Sequence, residues 1–212
     1  MKGLLLKEFY SAGAYLKNFA IMLVIIIFFS VFTELGTTYV SMMMMMYLLV
    51  ISISQYSIDE KSTWAPFSLC LPVKRVTIVG ARYLFLLLLL VATMAFTFGL
   101  TAIVALVRGT EGWLPENLGI LGVGTMLFLI VNSIIAPIVY KLGAEKARYA
   151  IMIVAMIPVL GAVLFSKQLT ALLERFSGLN IPLLAAVAGV VAVAMYIGSM
   201  FLSARIYETR EY

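Results

Sequence analysis

Long apolar stretches alternate with short polar ones along this chain, and the alternation is its dominant pattern. Six apolar runs occupy residues 19–32, 39–58, 83–107, 118–140, 149–165 and 181–202. A helix needs about 20 apolar residues to cross the hydrocarbon core of a bilayer, because each residue rises only about 1.5 Å. The middle runs meet this length, and the shorter first run reaches it with its neighbouring residues. The pattern predicts an all-α membrane protein with six transmembrane helices.

Lysine and arginine are divided unequally between the two sets of connections that six spans create. Twelve of the fifteen basic residues fall on one side. The other side keeps only Arg108, Lys167 and Arg175. Because positive charge is retained on the cytoplasmic side of a membrane protein, we expect both termini to be cytoplasmic.

The composition agrees with lipid as the main solvent. Of the 212 residues, 64% are hydrophobic and 12% are charged, whereas a soluble domain carries about 25% charged residues. The length predicts one transmembrane domain over residues 1–212. A net charge of +5 is compatible with nucleic-acid binding, but the charges flank the apolar runs, so we expect a lipid bilayer and no nucleic acid as partner.

The first 18 residues are amphipathic at helical spacing. Lys7, Ser11 and Asn18 form a polar line, and Leu4 and Phe9 lie on the other side. We interpret residues 1–18 as an interfacial helix on the cytoplasmic surface, before the chain turns into its first span. A membrane anchor is the simplest role for it.

The longest cytoplasmic connection, residues 59–82, contains the pattern of a short helix. Ser62 or Thr63 can cap it, Pro66 is tolerated in its first turn, and Pro72 ends it. Such a helix either presents side chains to a cytoplasmic partner or anchors the loop at the lipid interface. The second cytoplasmic loop, residues 141–148, is shorter and contains a turn at Gly143.

The interior of the predicted spans lacks the groups that most transport and catalytic chemistry requires. No Asp, Glu, Lys or Arg lies near the centre of any run, and the chain has no histidine. This argues against a proton-coupled carrier and against Ser-His, Cys-His or metal catalysis. The chain also lacks a phosphate-binding loop. We therefore expect no catalytic residue, no metal and no cofactor on this chain, and any energy for transport must come from a partner.

Small and polar residues inside the spans predict helix contacts. Ser41, Ser52 and Gln55 lie on one face of the second span, where they either line a transport pathway or make interhelical hydrogen bonds. Close helix packing is the interpretation of three glycines at the start of the fourth span: Gly119, Gly122 and Gly124.

Two loop motifs make the chain resemble a known family. The first loop carries the series Asp59-Glu60-Lys61, Trp64, Leu71-Pro72-Val73, Arg75 and Arg82-Tyr83. The second carries Tyr140-Lys141-Leu142-Gly143 and Glu145-Lys146-Ala147-Arg148. In this order, and separated by two spans, they resemble the internal loops of small bacterial ABC export permeases. The chain looks closest to the membrane subunits of phenol-soluble modulin exporters, and Leu142 departs mildly from the phenylalanine common there.

The resemblance implies a division of labour in the bacterial cytoplasmic membrane. A second copy of the chain, or a related permease, would complete a pathway, and each subunit would bind a cytosolic ABC ATPase that holds ATP and magnesium. The first loop would be the coupling helix that contacts the ATPase. The residues implied for this contact are Asp59, Glu60, Lys61, Trp64, Leu71, Pro72 and Arg75. Weaker candidates come from the second loop: Lys141, Glu145, Lys146 and Arg148.

The function that follows is the permease subunit of an ATP-driven exporter of amphipathic or antimicrobial-type peptides. Two alternatives stay open at this point. An ion-coupled carrier would transport cargo on an ion gradient without any ATPase. A peptide-sequestering immunity or scaffold protein would protect a cell even with a hydrolysis-dead ATPase partner.

Overall fold

The structure is a computed structural model that describes residues 2–32, 36–62, 64–70, 72–109, 112–143, 146–147 and 181–209. Within these ranges it contains six α-helices and no strand, which confirms the all-α class. The helices are α1 (Lys2–Phe32), α2 (Gly36–Lys61), α3 (Trp64–Leu69), α4 (Arg75–Arg108), α5 (Trp113–Leu142) and α6 (Ile181–Thr209). The predicted fifth span, residues 149–165, lies outside the described residues.

Four helices in the described ranges are long and apolar enough to cross a membrane. The candidate spans are Tyr39–Lys61, Arg75–Arg108, Trp113–Leu142 and Ala185–Thr209. Helix α4 has 34 residues and is therefore about 51 Å long, well beyond a hydrocarbon core of about 30 Å. The chain is a multi-pass membrane protein by these helices, while the total of six spans stays a prediction.

The N-terminal segment is continuous with the first apolar run. Helix α1 extends over 31 residues without interruption, so the boundary that we expected near Asn18 is not a helix end. The physical reason is visible in the sequence, because residues 14–32 contain neither proline nor glycine. The amphipathic segment and the first apolar run form one rod of about 46 Å.

Glycines end the long helices where the sequence predicted turns. Gly109 has φ 65° and donates its backbone N–H to the carbonyl of Ala105, which closes α4. Gly143 has φ 84°, and its N–H donates to the carbonyl of Val139 over 2.8 Å at the end of α5. Both residues adopt the positive φ that glycine tolerates best after a helix.

The core lies between four helices that share their apolar faces. Helix α5 packs along α6, and α2 packs against both α4 and α5. Helix α1 lies across α2 and α4. The largest buried side chains in the main cluster come from different helices and include Leu48, Phe85, Phe128 and Tyr196.

One of the three predicted packing glycines makes the close approach. A Cβ at Gly124 would lie 2.7 Å from the Cγ of Met45 on α2. Among the described residues, a Cβ at Gly119 or Gly122 would meet no atom within 4 Å. Only Gly124 therefore faces α2 closely enough to require the absence of a side chain.

We predict that Gly124→Ala lowers the stability of the protein by about 1–3 kcal/mol, because the added methyl group overlaps Met45. Gly122→Ala is the matched control, since alanine there meets no neighbour and favours the helix. Melting temperatures in detergent measure both, and Gly124→Ala should cost much less in a Met45→Ala background, which lacks the overlapping side chain. Equal melting temperatures for the two glycine variants would contradict the close contact.

A proline inside α5 creates a vacant carbonyl that α6 satisfies. Pro137 has no backbone N–H, so the carbonyl of Ser133 lacks its usual helical donor. The Ser199 hydroxyl of α6 donates to that carbonyl over 2.7 Å. Since a hydroxyl carries one hydrogen, the 2.8 Å contact between Tyr83 and Ser199 must be donated by Tyr83. This chain of bonds ties α4, α5 and α6 together.

We predict that Ser199→Ala costs about 1–3 kcal/mol, because it leaves a buried carbonyl without its donor. Adding Pro137→Ala supplies a backbone N–H to the same carbonyl, so it should reduce the cost of Ser199→Ala. The measurement is a double-mutant cycle on thermal stability. Strictly additive effects of the two substitutions would show that the Ser199 bond does not replace the missing helical bond.

Candidate functional site

The short helix α3 and the helix ends around it form the candidate site. We call this region the α3 end of the bundle, defined by α3, the last turns of α2, α5 and α6, and the first turns of α1 and α4. Helix α3 packs directly on α2. Exposed basic side chains surround it, namely Lys61, Lys74, Lys141, Lys146 and Arg205.

Helix α3 presents an aromatic pair. The rings of Trp64 and Phe67 lie 5.6 Å apart at an angle of 46°. Phe67 is 58% exposed, whereas Trp64 is half-buried beneath the Lys7 ammonium group, 4.4 Å from the ring centroid. The predicted helix thus exists, and one large apolar side chain points away from the bundle.

Helix α3 is also attached to the end of α6. The hydroxyls of Ser68 and Tyr207 are hydrogen bonded to each other, and both residues are buried. Arg75 donates to the carbonyls of Tyr207 and Glu208, over 3.3 Å and 2.5 Å. The last carbonyls of a helix lack partners within it, and a cation there also opposes the negative end of the helix dipole. Arg75 therefore caps α6 while it begins α4.

A row of tyrosines underlies this attachment. The rings of Tyr56 and Tyr140 lie 6.1 Å apart at 88°. The rings of Tyr140 and Tyr207 lie 5.5 Å apart at 71°. These edge-to-face contacts are favourable for aromatic pairs, and they join the ends of α2, α5 and α6 beneath α3.

Asp59 occupies the last turns of α2, where charged groups from two other helices meet. It accepts hydrogen bonds from Lys7 of α1 and from Arg82 of α4. Lys7 also contacts Glu8 at 3.2 Å, and Arg82 contacts Glu8 at 3.2 Å. The guanidinium of Arg82 lies 5.2 Å from the Tyr56 ring centroid. Asp59 is therefore held within the bundle and is not a free surface carboxylate.

The remaining predicted loop residues are placed as follows. Glu60, Lys61 and Pro72 are exposed at the edges of α3. Lys141 and Lys146 are exposed near the end of α5. Leu71, Glu145 and Arg148 lie outside the described residues.

The predicted pathway residues lie inside the single subunit. Ser41 donates to the side-chain oxygen of Asn117 over 2.5 Å, and Ser52 donates to the side-chain oxygen of Asn132. Gln55 is fully buried, and neither of its amide atoms has a hydrogen-bond partner within the described part of the chain. The first two residues thus form bonds between α2 and α5, and their role in a pathway stays a prediction.

An apolar cavity of about 290 Å³ opens between α1, α2 and α4. Its lining includes Phe19, Met44, Tyr47, Leu89 and Phe96. Phe19 stacks on Tyr47 at 5.1 Å and tilts against Phe96 at 6.0 Å. The cavity suits an apolar group and offers little to a charged one. Among the described residues, no three His, Cys, Asp or Glu side chains form a metal site.

Several residues of the site were not identified as such from the sequence. Glu8 was treated as part of a surface helix, and Tyr207 was not singled out. Arg82 appeared only as one letter of a loop motif, although an arginine just before a long apolar run is a signal for a buried ion pair. Its partners in α1 and α2 depend on helix packing that periodicity does not reveal.

The comparison with protein families decides which group this architecture represents. Residues 3–208, nearly the whole chain, match the ABC-2 family transporter proteins. The chain belongs to this family. As an ABC-2 permease it is a membrane transport subunit and not itself an enzyme, and its family partner is an ABC ATPase. No curated protein matches it, and no solved structure does.

For this permease we predict that Tyr207→Phe loosens α3, because it removes the hydroxyl that bonds to Ser68. A hydrogen bond contributes about 1 kcal/mol, so trypsin cleavage at the exposed flanking Lys61 and Lys74 should accelerate about fivefold if local opening limits it. Tyr10→Phe is the matched control, since Tyr10 is 77% exposed. Unchanged cleavage in Tyr207→Phe would argue against this attachment of α3.

Proposed function

We propose that this ABC-2 permease is the membrane subunit of an ATP-driven exporter and that α3 is its coupling helix. The observation that carries the proposal is the aromatic pair on α3, with Phe67 exposed outward and Trp64 braced against α1. An exposed aromatic side chain beside a well-supported one is the kind of anchor that dominates protein interfaces. In addition, Ser68 attaches α3 to the end of α6, and Arg75 attaches that end to the start of α4.

The proposed topology has six spans, with the α3 end and both termini in the cytoplasm. Positive charge supports this orientation, because the exposed lysines and arginines around α3 greatly outnumber the basic residues at the other end of the described bundle. Residues 1–212 form one transmembrane domain in a bacterial cytoplasmic membrane in this proposal, with residues 59–82 and 141–148 as its two cytoplasmic loops.

The mechanism follows from rigid attachments. ATP and magnesium bind to the partner ATPase, and closure of the ATPase pair displaces α3. Because Ser68 joins α3 to the end of α6 and Arg75 joins that end to the start of α4, a displacement of α3 is transmitted to both long helices. Packed helices move as units between discrete arrangements, so the displacement biases the pathway between two states. The permease contributes the pathway, and the ATPase contributes the free energy.

The proposed cargo is an amphipathic peptide, and the pathway would be completed by a second copy of this chain or by a related permease. The resemblance to phenol-soluble modulin exporters supports the cargo class. The apolar cavity between α1, α2 and α4 supports it independently, because an apolar lining suits the apolar side chains of such a peptide. Ser41, Ser52 and Gln55 would then influence the pathway through the α2–α5 contact.

We predict that Phe67→Ala lowers the affinity of the permease for its ATPase about 30-fold, because loss of an aromatic anchor costs about 2 kcal/mol. The measurement is copurification of the ATPase with the permease from membranes, followed by ATP hydrolysis per assembled complex. Tyr10→Ala is the control, since it removes another exposed aromatic ring at the same end of the protein. ATPase binding that is indifferent to Phe67→Ala and Trp64→Ala would overturn the assignment of α3.

A further inference from the structure

Four charged side chains at the α3 end form a closed ring of alternating sign. Lys7 contacts Glu8 and Asp59, and Arg82 contacts the same two carboxylates. Each base therefore touches both acids, and each acid touches both bases. The ring has no net charge.

The four side chains are buried deeply enough that each charge needs a partner of opposite sign. Arg82 is 2% exposed and Glu8 is 5% exposed, while Lys7 and Asp59 are half-buried. Removing one member of a buried ion pair leaves an uncompensated charge, which is far more damaging than the loss of a surface pair. A neutral ring of four avoids this, but it requires α1, α2 and α4 to keep their relative positions.

The N-terminal arm, residues 2–12 of α1, directs Lys7 and Glu8 differently from the charges of a simple surface anchor. A surface anchor directs its charges to water and its apolar side into the protein or the lipid. Here Lys7 and Glu8 turn into the bundle, whereas Leu6, Phe9 and Tyr10 are more than half exposed. The charged pair on the arm thus serves contacts within the protein.

The ring is also connected to α3. The Lys7 ammonium group lies 4.4 Å from the Trp64 ring centroid, a cation–π contact. Asp59 lies in the last turn of α2, directly before the chain enters α3. Lys7 therefore touches both the helix that leads into α3 and the first residue of α3 itself.

From this arrangement we infer that Lys7 and Glu8 are positioning residues of the coupling helix and that the N-terminal arm is a working part of the coupling unit. The inference rests on the proposed function of α3. Because α1 is one continuous helix from Lys2 to Phe32, a displacement of Trp64 that is passed to Lys7 reaches the first predicted span. Helix α1 is then a third helix, besides α4 and α6, that moves when α3 is displaced.

The test uses the assembled complex of the full chain with its ATPase and MgATP as the probe. Lys7→Gln and Glu8→Gln each leave the ring with a net charge, so each should lower ATP hydrolysis per assembled complex about tenfold. The double variant leaves the neutral Arg82–Asp59 pair and should hydrolyse ATP faster than either single variant. Lys2→Gln is the matched control, because it removes one exposed positive charge from the same arm.

A second readout reports the contact itself. In a Trp113→Phe background Trp64 is the only tryptophan, and Lys7→Gln should increase the quenching of its fluorescence by acrylamide, since the ammonium group no longer covers the ring. Lys2→Gln should leave the quenching unchanged. This measurement needs only the folded permease, and it applies equally to the double variant if a single variant does not fold.

The outcomes separate this inference from the proposed function. If Phe67→Ala impairs the ATPase while the ring variants do not, the inference fails and α3 remains the coupling helix. If Lys7→Gln leaves Trp64 quenching unchanged, the arm does not support α3 and the inference fails as well. If Phe67→Ala and Trp64→Ala have no effect on the ATPase, the proposed function itself fails. Double-variant activity no higher than that of either single variant would also overturn the ring's role.

Discussion

The hydrocarbon core of the bilayer offers no hydrogen-bond partners to a protein, and this constraint determines how the helices are arranged. Polar groups within the helices must find partners on other helices, as Ser41 and Ser52 of α2 do with two asparagines of α5. The same constraint explains why the carbonyl left vacant by Pro137 is satisfied by α6. Charges are displaced to the helix ends, and the ones that are buried form a neutral ring at one end. Packing and polar bonding therefore select the same arrangement of helices.

Charged side chains connect the helices at the α3 end, where this constraint is weaker. Water and headgroups are within reach there, so charged side chains can approach one another and still be solvated in part. Helix α3 is short and has little stability of its own, yet it packs on α2, is attached to α6 by Ser68 and contacts α1 through Trp64. Because α3 contacts three long helices, a displacement of α3 also moves those helices.

The features that depend on local chemistry could be predicted from the sequence. The apolar runs predicted the long helices, and Gly109 and Gly143 marked helix ends because positive φ is a local property of the backbone. Pairing of Lys7 with Asp59, 52 positions away, depends on how α1 lies across α2, and helical periodicity contains no such information. Helix α5 begins at Trp113, before the predicted run 118–140, and this places Asn117 inside the helix, where it bonds to Ser41 of α2. The family resemblance predicted a coupling role for residues 59–82 but did not reveal what supports α3.

The proposed coupling depends on contact between α3 and the ATPase, and a cysteine beside α3 can report that contact. Cys70 is the sole cysteine, it is exposed, and it directly follows the last residue of α3. A photoreactive crosslinker attached to Cys70 of the unmodified sequence, activated in membranes that contain both subunits, tests the contact most directly. We predict a covalent adduct between Cys70 and the ATPase subunit. Adducts with lipid alone, in a complex that stays assembled, would contradict it.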